Sequence, residues 1–337
     1  MRILVTGVAG FIGTHLALAL AQQGHSVVGL DCLTDYYSPH LKELNVSHLA
    51  SEGIAMHRLD LAGDELSSAV DDVEVVFHLA AQPGLSAASF SSYERNNVVA
   101  TYRLIDSLVG STTLRAFIYI STSSVYGSNA TGPETAVPEP ISTYGVTKLA
   151  AEQLTLAMYR SRGFPACSFR LFSVYGPRER PDKLFPTLIR SIIDGTEFPL
   201  FAGSERHLRS YTYVGDIVNG LISSLDHVDE CLGEIFNLGM DNAMTTGEGI
   251  RIVEEIMGSK ARLLARPPRF GDQATTTANI EKARRVLGYH PTTGAREGLT
   301  RTVQWFTAFR DVYSEGAAVV TCSPHLQARD FSVHPRR

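Results

Sequence analysis

A doubly wound α/β fold built on a parallel sheet is what this sequence predicts, and three observations predict it. Short apolar strand patterns alternate with helical ones from Arg2 to Phe172, as in parallel strands joined by helical crossovers. The first strand pattern runs into Gly7-Val8-Ala9-Gly10-Phe11-Ile12-Gly13 and then into a helix. The fifth ends in four consecutive hydroxyls, Ser121-Thr122-Ser123-Ser124, at the strand end where open α/β sheets bind ligands. From Ser173 the alternation breaks, and a smaller C-terminal lobe is expected there.

Arg2-Ile3-Leu4-Val5-Thr6 reads as a buried strand, and Thr14 to Gln23 as a helix. Of the glycines between them, Gly7 permits a tight turn, Gly10 lets the backbone approach a pyrophosphate, and Gly13 allows close helix–strand packing. The helix N-terminus, with Phe11 and Ile12, then offers open N–H groups and a positive dipole end to phosphates. Ser26 to Leu30 is the second strand, and Asp31 ends it. An acid there suits a hydrogen bond to an adenosine ribose hydroxyl and repels a 2′-phosphate. No Arg or Lys follows until Lys42. NAD is therefore the expected cofactor; a solvated loop aspartate is the competing reading.

Ile54 to Leu59 is the third strand, ending in Asp60-Leu61, a pair placed either against an adenine or in a plain loop. Val73 to Ala81 is the fourth, and its small-residue end, Leu79, Ala80 and Ala81, can pass close to a cofactor. His78 is expected to pack. Asn96 and Asn97 lie on the next helix, where one of them, Asn97 by choice, either fixes the backbone under the site or faces solvent. Leu114 to Ile120 and Ala166 to Phe172 are the fifth and sixth strands, and Glu234 to Leu238 is a strand returning to the sheet.

After a Pro-rich loop comes Ser142-Thr143-Tyr144-Gly145-Val146-Thr147-Lys148. Four residues apart on a helix, Tyr144 and Lys148 share one face. A phenol has a reference pKa of about 10, and a nearby ammonium favours its phenolate. The pair is a candidate acid/base unit; a surface Tyr and Lys is the bland alternative. Arg190, on a helix from Leu184 to Asp194, with Arg209 and Arg269, is a candidate set for an anionic ligand, since Arg gives planar multi-donor contacts to phosphate.

The 337 residues are 44% hydrophobic and 19% charged, which suits a globular protein with one large domain and a smaller lobe. The net charge of −5, with no run of Lys or Arg, argues against a nucleic-acid partner. Cys32, Cys167, Cys231 and Cys322 lack metal or disulfide spacing and are expected as buried free thiols; no metal is expected. No signal-peptide pattern begins the chain, and no stretch approaches the ~20 apolar residues of a membrane span. A cytoplasmic protein is expected. Residues 314–337 lose periodicity, and a flexible tail is expected over 313–337.

Six stretches, GVAGFIG at 7–13, HLAA at 78–81, STSSVYG at 121–127, YGVTK at 144–148, RLFSVYGP at 170–177 and RFGD at 269–272, together resemble the extended short-chain dehydrogenase/reductases. Within them the chain is similar to the NAD-dependent nucleotide-sugar epimerases and dehydratases, over residues 1 to 312. DYYSPHLK at 35–42 and RERPDKLFPTLIR at 178–190 narrow the resemblance to UDP-glucuronate 4-epimerases. UDP-glucuronate decarboxylases usually carry a glutamate where this chain has Ser124. Ser173 stands where glucuronate epimerases tend to carry Thr, and Arg178 where they often carry Trp.

The resemblance implies a Rossmann domain over 1–175 plus about 211–240, and a nucleotide-sugar lobe over about 176–210 plus 241–312. It implies UDP-glucuronate and UDP-galacturonate interconverting through a 4-keto sugar. Tyr144 takes the O4 proton with help from Lys148, and Thr122 or Ser123 shares the hydrogen bond. Ser124 and Ser173 join those hydroxyls around the sugar carboxylate. Arg180, Phe185, Pro186 and Arg190 border the substrate, Arg209 and Arg269 hold the diphosphate, and Asp272 holds the uridine ribose. The family commonly pairs through helices at about 93–109 and 143–162, so a homodimer is expected. A decarboxylase, an epimerase of neutral UDP-hexoses and a non-catalytic NAD-binding scaffold are the other readings.

Overall fold

The computed structural model describes residues 1–84, 89–268 and 271–313. Seven parallel strands form its main sheet: β1 (Arg2–Thr6), β2 (Ser26–Asp31), β3 (Ala55–Arg58), β4 (Val75–His78), β5 (Ala116–Thr122), β6 (Ala166–Leu171) and β7 (Ile235–Leu238). Their order across the sheet is β7-β6-β5-β4-β1-β2-β3. Strand order reverses between β1 and β4, and the crevice beyond those strand ends is where such sheets bind ligands.

The strands are continuous apolar runs because both sheet faces are covered. Ile3 and Val5 pack on one face with Leu16 and Leu20 of the helix Phe11–Gln22. Leu4 packs on the other with Leu104 and Ile105 of the helix Ala100–Leu108. β4 is shorter than its sequence pattern because Leu79 to Ala81 leave the ladder; the Ala80 N–H turns to the Thr6 hydroxyl at 3.2 Å. β5 instead runs two residues further than expected, carrying Ser121 and Thr122 to its tip.

The helix Thr143–Arg162 is capped by the Ser142 hydroxyl, which accepts from Gly145 N at 3.1 Å, and ends at left-handed Gly163. A buried ion pair fastens it to β6. Glu152 accepts from Arg170 Nε at 2.9 Å and Nη2 at 2.6 Å, and from Ser168 Oγ at 3.2 Å. A second sheet has four short strands. Its order is Met244–Thr245, Leu208–Arg209, Thr275–Thr276 and Asn129–Ala130.

Two expectations need correction here. Cys32 is an exposed thiol, because β2 ends just before it at the crevice; Cys167 and Cys231 are buried and free. Tyr313 belongs to the packed structure, 4% exposed with its hydroxyl accepting a hydrogen bond from Trp305 Nε1 at 3.1 Å. The rest of the expected tail, Cys322 included, lies outside the described residues. His78 packs: its ring nitrogens meet the hydroxyls of Thr6 at 2.7 Å and Thr101 at 3.0 Å, and burial lowers its pKa to about 3. No described helix is long and apolar enough to cross a membrane, and the described residues hold no cluster of three or more His, Cys, Asp or Glu suited to a metal.

Candidate active site

The crevice opens as one cavity of about 470 Å³. Its floor is the glycine turn. Gly7 has φ +69, and a side chain there would put Cβ 2.8 Å from Ala80 N; at Gly13 it would lie 2.2 Å from the Gly7 carbonyl. Only glycine meets both demands. Gly10 begins the helix Phe11–Gln22 with extended backbone and no side-chain cap, so the first helical N–H groups are left for a ligand. Gly10, Phe11, Ile12 and Gly13 all line the cavity.

Asp31 lines it too, and is fixed: Oδ2 accepts from Ala9 N at 3.1 Å and Oδ1 from Leu33 N at 2.8 Å. Lys42 reaches the same wall, but its ammonium donates to the Thr34 carbonyl and, at 3.0 Å, to the Thr34 hydroxyl. Asp60, Leu61, Leu79, Ala80 and Ala81 complete this side. Burial alone would raise the Asp60 carboxyl; hydrogen bonds from Arg95 and the Ala62 N–H carry it below its ordinary value. A glycine cradle, an open helix N-terminus and an anchored carboxylate fit a dinucleotide.

Asn97 does not line the cavity; it lies behind the wall. It is 1% exposed, on a π-helical turn over Glu94–Val99. Its Oδ1 accepts from Gln82 N at 2.7 Å and its Nδ2 donates to the Thr147 hydroxyl at 3.0 Å. It therefore fixes the Ala81–Gln82 backbone against the helix of Tyr144 rather than touching a cofactor.

Thr122, Ser123, Ser124, Tyr144 and Lys148 line the middle of the cavity. The Thr122 hydroxyl accepts from Ser124 N at 3.2 Å and starts a 3-10 turn over Ser123–Tyr126. Tyr144 packs against Tyr93, ring centroids 6.4 Å apart. Its pKa is not pulled down as expected. Burial raises it, and the hydrogen bond with Thr122 offsets only part of that rise. Burial also acts on Lys148, which is 3% exposed and lies over the Tyr119 ring at 4.3 Å. Desolvation lowers the ammonium pKa to about 7, against the pull of Glu152 one turn on.

Ser173, Arg180, Arg209 and Asp272 also line the cavity. Arg209 Nη2 donates to Asp272 Oδ1 at 2.9 Å, with His207 Nδ1 3.4 Å from the other carboxylate oxygen. Arg180 is held by Asp182 through two 3.0 Å bonds. The proposed arginine cluster does not form among the described residues. Arg190 is exposed and does not border the cavity; Arg269 lies outside the described residues. Phe185 and Pro186 are buried away from the cavity instead, Phe185 against Tyr211 at 5.0 Å. Arg178 is also away from the cavity. With φ +68 it turns inward, 4.4 Å over the Trp305 ring, donating to Asn45 and, at 2.6 Å, to His48. Glu179 and Gln273 line the cavity without having been expected; the available signal was adjacency, since each stands beside an expected site residue, Arg180 or Asp272.

The sequence matches a family model described as the NAD dependent epimerase/dehydratase family over residues 3–239. UDP-glucuronate 4-epimerase 1 of Arabidopsis thaliana is 35% identical over 331 residues, covering 92% of this chain and 77% of that one. A Bacillus subtilis (strain 168) protein called uncharacterized UDP-glucose epimerase YtcB is 35% identical over 317 residues, 91% of this chain and 98% of its own. The crystal structure of UDP-glucuronic acid 4-epimerase from Bacillus cereus, in complex with UDP-glucuronic acid and NAD, superposes with a TM-score of 0.86 at 35% identity, covering 91% and 99%. With the glycine turn, Asp31 and the Tyr144–Lys148 helix on one cavity, the chain belongs to the NAD-dependent epimerase/dehydratase family.

Proposed function

We propose that this enzyme is a UDP-glucuronate 4-epimerase, with Tyr144 as its acid/base group. The observation that carries the reading is the set of four hydroxyl side chains, Thr122, Ser123, Ser124 and Ser173, lining the same cavity as Tyr144 and Lys148. Such a set suits a sugar carboxylate, because hydrogen bonds to a charged acceptor are short and strong. The printed names of the Arabidopsis and Bacillus cereus relatives point the same way.

Gly7, Gly10 and Gly13, the helix start at Phe11 and Ile12, and Asp31 hold the cofactor. NAD, when bound, supplies a hydride acceptor and a positive charge. The chain moves the proton: Tyr144 takes it from O4 and returns it, with the Thr122 hydroxyl in the same hydrogen-bond system. Lys148 favours the phenolate whenever it is charged. The hydroxyl set has a second task. The 4-keto sugar is a β-keto acid and loses CO2 when its carboxylate bond stands perpendicular to the carbonyl plane. An epimerase must hold the carboxylate away from that alignment.

The test is incubation with UDP-glucuronate or UDP-glucose, followed by proton NMR and mass. A galacturonate anomeric signal at unchanged mass is expected. UDP-pentose as main product would make the enzyme a decarboxylase. Turnover of UDP-glucose alone would favour the neutral-sugar reading that the Bacillus subtilis relative's name carries. In the same assay Ser173→Ala lowers epimerisation and raises the UDP-pentose fraction, since one hydrogen bond to a charged group is worth about 1.5–3 kcal/mol. An unchanged product ratio would remove Ser173 from the carboxylate set.

The substrate lobe in this reading is about 176–210 plus 241–312, carried on a dinucleotide domain of 1–175 plus about 211–240, in a cytoplasmic protein without a nucleic-acid partner. It pairs as a homodimer. Val99 and Tyr102 on one helix and Val146 on another are 40%, 48% and 47% exposed, an apolar surface that a second copy would cover. Light scattering is expected to give twice the 36.7 kDa chain mass; a monomer at micromolar concentration would refute the pairing.

A further inference from the structure

Gln273 lies beside the proposed nucleotide anchor Asp272, yet its side chain points to the other half of the site. Its Nε2 donates to the carbonyls of Ser123 at 3.2 Å and Gly127 at 2.6 Å. Those carbonyls bracket the 3-10 turn Ser123–Tyr126 that follows Thr122. An amide group has two N–H donors, and each end of the turn takes one. The far end leaves little slack: Gly127 has φ +86, and a side chain there would put Cβ 2.3 Å from the Glu139 carbonyl.

The strand behind Gln273 is stitched on both edges. Ala274 N donates to Ser128 O at 3.0 Å, and Thr275–Thr276 pairs with Asn129–Ala130 just past the turn. Its other edge pairs with Leu208–Arg209, and Arg209 grips Asp272 at 2.9 Å. One short segment thus touches the Arg209–Asp272 pair with one residue and the hydroxyl turn with the next.

We propose that Gln273 is a positioning residue which couples the nucleotide-binding strand to the hydroxyl turn, holding Thr122, Ser123 and Ser124 in register with Tyr144 once the nucleotide is seated. The proposal rests on the acid/base reading of Tyr144. It does not rest on which sugar is turned over.

Two variants of the full-length protein with its own NAD test it. Gln273→Leu keeps the bulk and removes both donors. Misplacing reacting groups by an ångström can cost about 10²-fold in rate, so kcat should fall by about 10- to 100-fold on whichever UDP-uronate or UDP-hexose the wild type accepts. The Kd for UDP alone, by calorimetry, should stay within about twofold. Gln273→Glu faces the same two carbonyls with a carboxylate. Protonated, it regains one donor, and those carbonyls hold its pKa above the ordinary value of about 4.3. Its kcat relative to wild type should therefore recover as pH falls from about 8 to about 5.

Should kcat of Gln273→Leu stay within about twofold of wild type, or fall only in proportion to UDP affinity, the proposal fails. Should that variant not fold, the pH series on Gln273→Glu decides alone, and a flat ratio overturns the coupling. The wild-type lanes report separately on the substrate: turnover of UDP-glucose alone overturns the uronate reading and leaves the Gln273 comparison intact.

Discussion

Tyr144→Phe is expected to slow kcat by about 10²–10⁴-fold, the usual worth of general acid–base catalysis, while UDP-sugar still binds. Removing one oxygen leaves the ring and its contact with Tyr93; the Thr122 hydroxyl loses its bond with Tyr144 but keeps the one from Ser124 N that starts the hydroxyl turn. What is lost is the group proposed to exchange the O4 proton. Burial raises the Tyr144 pKa in this chain, and the Thr122 hydrogen bond works against burial only in part. The phenolate therefore depends on positive charge around it: Arg180 already pulls the pKa down, and the proposed mechanism adds Lys148 and the cofactor. Steady-state kcat and calorimetric Kd measured on the same preparation check the expectation. A variant keeping more than a tenth of wild-type kcat would refute the assignment of Tyr144.

Features written in local sequence were legible in advance. The glycine turn, the strand ends and the shared face of Tyr144 and Lys148 depend on spacing within a few residues, and spacing is what a sequence displays. The parallel, doubly wound class also follows from regular alternation, because crossovers between parallel strands permit few arrangements; the order of the strands across the sheet does not. Contacts made by distant segments were not legible. Arg190 lies on a correctly placed helix, Leu184–Asp194, but the exposed face it occupies depends on how that helix packs in the lobe. Arg178 turns away from the site because its φ is +68 and Trp305 lies 4.4 Å beneath it, 127 positions further along the chain. The π-helical turn that aims Asn97 at Gln82 has no signal in residue periodicity. The direction of the Tyr144 pKa was missed for a related reason: the spacing to Lys148 is visible in the sequence, whereas the burial that raises the phenol pKa is not.

Glu152→Leu should destabilise the protein by about 3–5 kcal/mol, the range for removing one partner of a buried ion pair, and lower Tm by about 4–7 °C. The reason is the arginine left behind. Arg170 is 1% exposed, with its guanidinium 4.7 Å over the Tyr126 ring. Without Glu152 it keeps a 3.3 Å bond to the Glu134 carbonyl and its contacts with Tyr126, none of which carries the negative charge that would balance a desolvated guanidinium. Glu152→Leu with Arg170→Met removes both charges and should recover most of the stability, because a buried pair contributes little net against apolar side chains of similar volume. Activity should not recover in parallel. The Glu152 charge raises the Lys148 pKa against burial, which otherwise lowers it. Lys148 is charged below its pKa, so lowering that pKa further strips the charge at a lower pH. The double variant should therefore lose activity at neutral pH and show the alkaline fall of kcat displaced to acid relative to wild type. Thermal melts and a pH series on the single and double variants separate the two effects. A single variant melting within about 2 °C of wild type would remove the ion pair's structural role. A stable double variant with an unshifted pH profile would break the electrostatic link between Glu152 and Lys148.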